Sequence, residues 1–472
     1  MTGIGTSEHP LRVAIVGSGP AGFYAAGHLL RCKSHPDLVA QVDVFDRLPT
    51  PWGLVRGGVA PDHPNIKAVS RVYEKTAQHP EFRFYGNVEL GSDLSRQELL
   101  ERYHAVIYAV GAQTDRRMAI PGEDLPGSWA ATEFVAWYNG HPDYRELEFD
   151  LSGERAIVIG NGNVAADVAR MLALGHDELA RTDVADHALE ALAESSIREI
   201  VVLGRRGPAQ AAFTNPELLE LGEMPDADVF VDPRDVALDP LSQTWLESDA
   251  AAATSRKNVE ILGRYSGLQP AGRRRRIVLR FLVSPVEIHG DDKVEAITIR
   301  RNELRADEHG GLRAFPTDRT ETLPCDIVFR SIGYRGMPLA DVPFDERSHV
   351  IPNDRGRVLS APEGTPLRGE YATGWIKRGP TGIIGTNKRD AQETVDRLLE
   401  DLDAGELRQP AHPDRESIEA LLDERKPEHV TYTGWEAIDG AERSAGEPHG
   451  RPRVKLTTFE ELLEAARERV SG

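Results

Sequence analysis

The chain has 472 residues, 40% hydrophobic and 28% charged, an ordinary globular mixture that excludes a disordered polypeptide and is long enough for two or three domains. Its formal net charge of −20 argues against nucleic acid and anionic membranes as partners. Only two cysteines occur, Cys32 and Cys325, with no C-x-x-C or C-x-x-x-x-C spacing; this excludes a redox dithiol and a cysteine-ligated cluster, and no metal site is expected.

The most apolar stretch, residues 14–30, is broken by Ser18, Pro20, four glycines and His28, so it does not read as a membrane span. The N-terminus lacks a basic stretch followed by an apolar one, and a cytoplasmic protein is expected. LRVAIV (Leu11–Val16) is a short β-branched run, as a buried parallel strand should be. Gly17-Ser18-Gly19-Pro20-Ala21-Gly22 follows, then a helical stretch, FYAAGHLLR. A second strand, QVDVFD, ends at Asp46. The Pro- and Gly-rich residues 48–64 predict a long ordered loop without regular structure. FRFYGNVEL and AVIYAVG read as further strands.

A second alternation begins with the strand RAIVIG. GNGNVAADVARMLA is a glycine turn opening a helix, residues 174–196 are an inserted helical stretch, and EIVVLGRR is the next strand. NVEIL, RIVLRFLV, VEAITIRR and CDIVFRSIG read as later strands, with residues 266–276 as a turn or hairpin connection. After Gly333 comes YATGWIKRGPTGIIGTNKRD and then helices. The pattern predicts an α/β fold of two Rossmann-like dinucleotide-binding domains: residues 1–114 and 334–472 form one, and residues 115–333, inserted into it, form the other.

Each glycine fingerprint follows a strand and opens a helix, the context in which the pattern carries a mechanism. At the first, Gly17 allows the tight turn, Gly19 lets the pyrophosphate approach, and Gly22 lets helix and strand pack closely. Asp46 is placed to accept hydrogen bonds from the adenosine ribose. We read this fingerprint as the FAD site. At the second, Asn161, Gly162, Asn163 and Val164 follow Gly160, and the strand that would end in an acid for NAD ends instead at Arg205 and Arg206. A guanidinium fork matches a 2′-phosphate in charge and geometry, so NADP is expected over NAD. Without a dithiol, electrons from NADPH must leave from the flavin itself.

Along nearly its whole length the chain resembles the adrenodoxin-reductase-like ferredoxin–NADP reductases. The resemblance is carried by VGSGPAGFYAAGHLL, PTPWGLVRGGVAPDHPNIK, VIGNGNVAADVAR, GRRGPAQAAFTNPEL, GWIKRGPTGIIGTNKRDA and GEPHGRPRVKL. It implies FAD contacts at Ala21, Asp46, Leu54, Leu90, Trp375, Gly382, Ile383 and Ile384. It implies NADP contacts at Arg116, Asn161, Gly162, Asn163, Val164, Arg205, Arg206 and Glu217. His63 and Glu217 are the side chains expected closest to the reacting rings. The implied activity is an FAD-dependent NADPH:ferredoxin oxidoreductase, acting as a monomer on an acidic iron–sulfur ferredoxin. A flavin monooxygenase, a diaphorase or quinone reductase, and a non-catalytic nucleotide-binding scaffold are the alternatives. A basic docking patch is expected among residues 273–276, Arg280, Arg300, Arg301, Lys377, Arg378, Lys388 and Arg389.

Overall fold

The computed structural model of the chain describes residues 3–308 and 311–467. It divides into two compact units. One holds the chain up to Thr114, His141–Asp143, and the chain from Tyr334 onward; the other holds Asp115–Gly140 and Tyr144–Gly333.

The first unit is built on a seven-stranded sheet in the order Asn353–Asp354, Arg357–Leu359, Pro366–Ala372, Ala105–Tyr108, Leu11–Val16, Ala40–Phe45, Phe82–Tyr85. The last five run parallel. Every residue of Leu11–Val16 is buried, as a strand covered on both faces requires. The helices Pro20–Leu30 and Thr386–Asp403 pack on one another over this sheet. Phe23, Trp52, Tyr73 and Phe82 form an aromatic cluster in that core.

The second unit has a six-stranded parallel sheet in the order Ser128–Ala130, Ile327–Arg330, Arg155–Ile159, Glu199–Gly204, Arg275–Phe281, Ala227–Val231. Beside it lies an antiparallel sheet of Val283–His289, Ala296–Ala306 and Leu312–Pro324.

Several local expectations are corrected. NVEIL lies within the helix Ala253–Ser266, because its buried residues Asn258, Ile261, Leu262 and Tyr265 recur at i, i+3, i+4 and i+7. RIVLRFLV is two strands broken at Leu282, whose φ is 56°. FRFYGNVEL is a strand only over Phe82–Tyr85, and Asn87 turns at φ 59°. Residues 48–64 include a helical turn, Leu54–Gly57, and another, Pro64–Lys67, starts at Pro64, where a missing N–H costs nothing. Residues 174–196 hold two short helices, His176–Leu179 and Asp186–Ala193. The strand Leu312–Pro324 was not anticipated, because its exposed, polar sequence has no apolar alternation.

Candidate functional site

In the first unit the glycine turn, Asp46 and the segment of Trp375 each follow the C-terminal end of a parallel strand. Leu11–Val16 leads into the glycine turn and then the helix Pro20–Leu30, whose first amides have no intrahelical acceptor. Gly22 cannot carry a side chain, since its Cβ would lie 2.1 Å from the Gly17 carbonyl oxygen. Gly19 differs: a Cβ there meets nothing closer than 3.9 Å. Its side chain would fill the cradle rather than strike the protein, so this position is small for the sake of what approaches from outside. The turn fits a dinucleotide pyrophosphate.

Asp46 sits one residue beyond the neighbouring strand. Its Oδ2 accepts from the Ser18 amide at 2.8 Å and the Ser18 hydroxyl at 2.5 Å, and its Oδ1 accepts from the Leu48 amide at 3.0 Å. Burial raises its carboxyl above the ordinary aspartate range, against these hydrogen bonds and the nearby Arg47 charge. Asp46 therefore braces the glycine turn. Ser18, its partner, was not singled out in the sequence. Leu90 follows closely, because the Val88 amide donates to the Asp46 carbonyl at 2.9 Å.

A second approach to the turn comes from the chain after the strand Pro366–Ala372. A Cβ on Gly374 would lie 2.6 Å from that of Ala21, so the two segments touch. Asp390 organises this crossing: its Oδ2 accepts from the Thr373 hydroxyl at 3.0 Å and the Gly374 amide at 2.5 Å, and Lys377 and Arg378 pair with it at 3.2 and 3.1 Å. Asp390 lies inside the run GWIKRGPTGIIGTNKRDA yet was not picked out, since nothing in the sequence distinguishes it from a surface acid. The Trp375 indole N–H donates to the Thr381 carbonyl at 3.2 Å and its ring lies 5.2 Å from Tyr334. Gly382 and Ile383 are exposed and Ile384 is half-buried. His63 is buried and opens the turn Pro64–Lys67, its carbonyl accepting from the Ile66 and Lys67 amides. Leu54 is exposed.

In the second unit the strand Arg155–Ile159 leads into the other glycine turn. Gly160 has φ +138°, and its Cβ would lie 2.1 Å from the Ser331 carbonyl oxygen. At Gly162 the nearest atom to a Cβ is again 3.9 Å away. The helix Asn163–Ala173 starts here, with Asn163 Oδ1 accepting from the Thr214 amide at 2.8 Å. Val164 is half-buried against the core. Strand Glu199–Gly204 pairs with Arg155–Ile159, which brings Arg205 and Arg206 beside the turn.

Both arginines are exposed, and neither has a carboxylate partner among the described residues. Their backbones are pinned: Asn302 Nδ2 donates to the Arg205 carbonyl at 2.9 Å and the Leu282 amide to that of Arg206 at 3.1 Å. Burial, and then the neighbouring Arg205 charge, lower the Arg206 guanidinium from its ordinary value. Two cations held side by side without an acid are suited to an anion from outside. Arg116 is exposed, its amide donating to the Gly333 carbonyl at 3.0 Å.

Glu217 is buried in the helix Asn215–Glu223, and Pro216 fits the first turn of that helix. Arg170, buried on the helix Asn163–Ala173, donates to Glu217 Oε2 at 3.0 Å, to Asp167 at 2.9 Å and to Glu220 at 3.3 Å. This ionic cluster ties the helix of Glu217 to the helix opened by the glycine turn. Arg170 was missed; the one clue is a cation amid the apolar run AADVARMLA.

The expected basic patch is largely consumed within the protein. Arg273 pairs with Asp228, Arg276 with Glu199, Arg280 with Asp235 and Glu321, and Arg301 with Asp235. Arg275 is buried and donates to main-chain carbonyls. Lys377 and Arg378 serve Asp390 as described. Of the exposed candidates, Arg274, Lys388 and Arg389 have no acidic partner among the described residues. Cys32 and Cys325 are both free, and burial pushes the Cys325 thiol up to about 12. Among the described residues no helix is long and apolar enough to cross a membrane.

Residues 11–202 match the pyridine nucleotide-disulphide oxidoreductase family. The NADPH-ferredoxin reductase FprA of Mycobacterium leprae is 53% identical over 460 residues, 97% of this chain and 98% of that protein. The mitochondrial NADPH:adrenodoxin oxidoreductase of Arabidopsis thaliana is 42% identical over 473 residues, 98% of this chain and 96% of its own length. The structure of Mycobacterium tuberculosis FprA in complex with NADPH superposes with a TM-score of 0.91 at 51% identity, covering 97% of this chain and all of that one.

Proposed function

This chain belongs to the adrenodoxin-reductase-like family of NADPH–ferredoxin reductases, and we propose that it passes electrons from NADPH through FAD to an iron–sulfur ferredoxin. The observation that carries the reading is the pair of glycine turns, each with a middle glycine whose Cβ would fill a cradle, the second flanked by two arginines that have no acidic partner among the described residues. We assign FAD to the first unit and NADP(H) to the second.

FAD, when bound, accepts a hydride from NADPH and releases its electrons one at a time. Gly17, Gly19, Ala21 and Gly22 receive its pyrophosphate on the helix N-terminus, with Asp46 holding the turn rigid. Leu54, Leu90, Trp375, Gly382, Ile383 and Ile384 exclude water around it. The turn of Asn161, Gly162, Asn163 and Val164 holds the NADP pyrophosphate, and Arg205, Arg206 and Arg116 hold its phosphates. Hydride transfer itself needs no general base. His63 and Glu217 accordingly orient the carboxamide and support proton movement, and Arg170 fixes the Glu217 carboxylate through its hydrogen bond at 3.0 Å.

The ferredoxin is acidic in this reading, and of the expected patch Arg274, Lys388, Arg389 and the half-buried Arg300 are the cations without an acidic partner among the described residues. We further place the protein in the cytoplasm as a monomer. The test is bleaching of the bound flavin by NADPH, followed by cytochrome c reduction with and without added ferredoxin. Ferredoxin-independent reduction at the full rate would point to a diaphorase instead.

A further inference from the structure

Glu442, which precedes the run GEPHGRPRVKL, bonds to Arg56 in the loop PTPWGLVRGG across 386 residues and to Arg453 and Leu456 of that run. Glu442, on the helix Tyr432–Gly446, is fully buried. Its carboxylate accepts from both terminal nitrogens of Arg56 at 2.8 and 2.5 Å, from Arg453 at 2.9 Å, and from the Leu456 amide at 2.9 Å. Burial alone would raise its carboxyl, but the Arg56 and Arg453 guanidinium groups outweigh it and hold the group below the ordinary glutamate range. The Arg56 guanidinium also lies 5.4 Å over the Trp435 ring, and Lys455 Nζ donates to the Arg56 carbonyl at 3.4 Å.

On its other side the same loop presses on the first glycine turn. The Trp52 amide donates to the Ser18 carbonyl at 3.0 Å, and a Cβ on Gly53 would lie 2.8 Å from Gly19 Cα. Trp52 has φ +85°, strained backbone for a bulky residue, which persists only where its surroundings over-determine it. Its ring is wedged 4.6 Å from Phe23 and 6.1 Å from Trp435. The loop carrying Leu54 is thus held between the pyrophosphate turn and the buried Glu442.

We propose that Glu442 is a positioning residue for the flavin: through Arg56 it sets the Trp52–Leu54 segment against the first dinucleotide turn. The inference rests on the assignment of FAD to this unit. A plain structural staple predicts something else. Asp43, equally buried in the same unit, accepts from Arg12, Arg415 and Tyr103 and holds a strand rather than the loop. It is the matched control.

The experiment follows FAD release from the holoprotein on dilution, by flavin fluorescence, with the visible spectrum and melting temperature recorded in parallel. Glu442→Gln and Arg56→Lys should weaken FAD retention about tenfold or more and shift the visible bands, because a bidentate charge-assisted contact is lost. Arg56→Lys keeps the charge and carries the test if Glu442→Gln does not fold. Asp43→Asn should lower the melting temperature with wild-type FAD retention and spectrum. Wild-type retention in both clamp variants, or an equal loss in Asp43→Asn, overturns the proposal. A wild-type protein that holds no FAD overturns instead the assignment on which it rests.

Discussion

Replacing Arg206 by Ala should collapse the preference for NADPH over NADH. Arg205 and Arg206 follow Glu199–Gly204, with main-chain carbonyls fixed by Asn302 and Leu282, so truncating a side chain leaves the backbone in place. Neither guanidinium has a carboxylate to leave unpaired among the described residues. Burial and then the Arg205 charge lower the Arg206 guanidinium, so truncating either arginine removes no favourable ion pair from the folded protein. A charge-assisted hydrogen bond contributes about 1.5–3 kcal/mol, so the cost to NADPH affinity should be about ten- to a hundredfold. NADH has no 2′-phosphate, and its affinity should stay within about twofold, since a contact worth 1.4 kcal/mol would be needed for each factor of ten. The assay is stopped-flow flavin reduction over a range of each coenzyme, in Arg205→Ala and Arg206→Ala. The limiting rate should be unchanged and the half-saturating NADPH concentration raised. If both variants keep the wild-type ratio of NADPH to NADH affinity, these arginines do not read the phosphate, and the preference for NADP loses its physical basis.

The two glycines of the second turn should fail differently: Gly160→Ala should lower the melting temperature, because its Cβ strikes the Ser331 carbonyl, whereas Gly162→Ala should keep stability and weaken NADPH titration. Equal melting losses would refute the distinction. With the Cys325 thiol pushed up to about 12 by burial, a thiol reagent should label only Cys32 in the native protein and both in urea, and Cys32→Ser/Cys325→Ser should retain ferredoxin reduction. Burial, and then Arg12, push His104 down to about 4, while the unfolded imidazole titrates near 6.5. The unfolded chain therefore binds the extra proton between those values, and stability falls by up to about 3 kcal/mol as pH drops from 6.5 to 4. His104→Asn should flatten urea-unfolding stability across that window, and an unchanged slope would exclude His104 as the cause. Ferredoxin-dependent turnover should fall as salt rises while ferricyanide reduction does not, because exposed charges mainly set the association rate.

The strand, glycine turn and helix at Leu11–Leu30 and again at Arg155–Ala173 were legible in the sequence. The reason is local: a turn that brings a helix back onto its own strand admits no Cβ at Gly22 or Gly160, and a strand buried on both faces must be continuously apolar. Arg205 and Arg206 were legible for a similar reason, since a strand's end has a fixed place beside the turn of its parallel neighbour. NVEIL was not, because five apolar-rich residues fit either period and only the burial of Asn258, Ile261, Leu262 and Tyr265 against one face makes the segment a helix. Charge was the least legible property. The arginines of residues 273–276 read as a docking surface, yet Asp228 and Glu199, distant in sequence, neutralise two of them and the fold buries a third. Nothing local sets Asp390 and Glu442 apart from ordinary surface charges, and Arg170 has only its apolar neighbours to mark it. Only tertiary structure could decide their roles, because a buried ion is tolerable solely where partners from remote segments converge on it, and that convergence has no local signature.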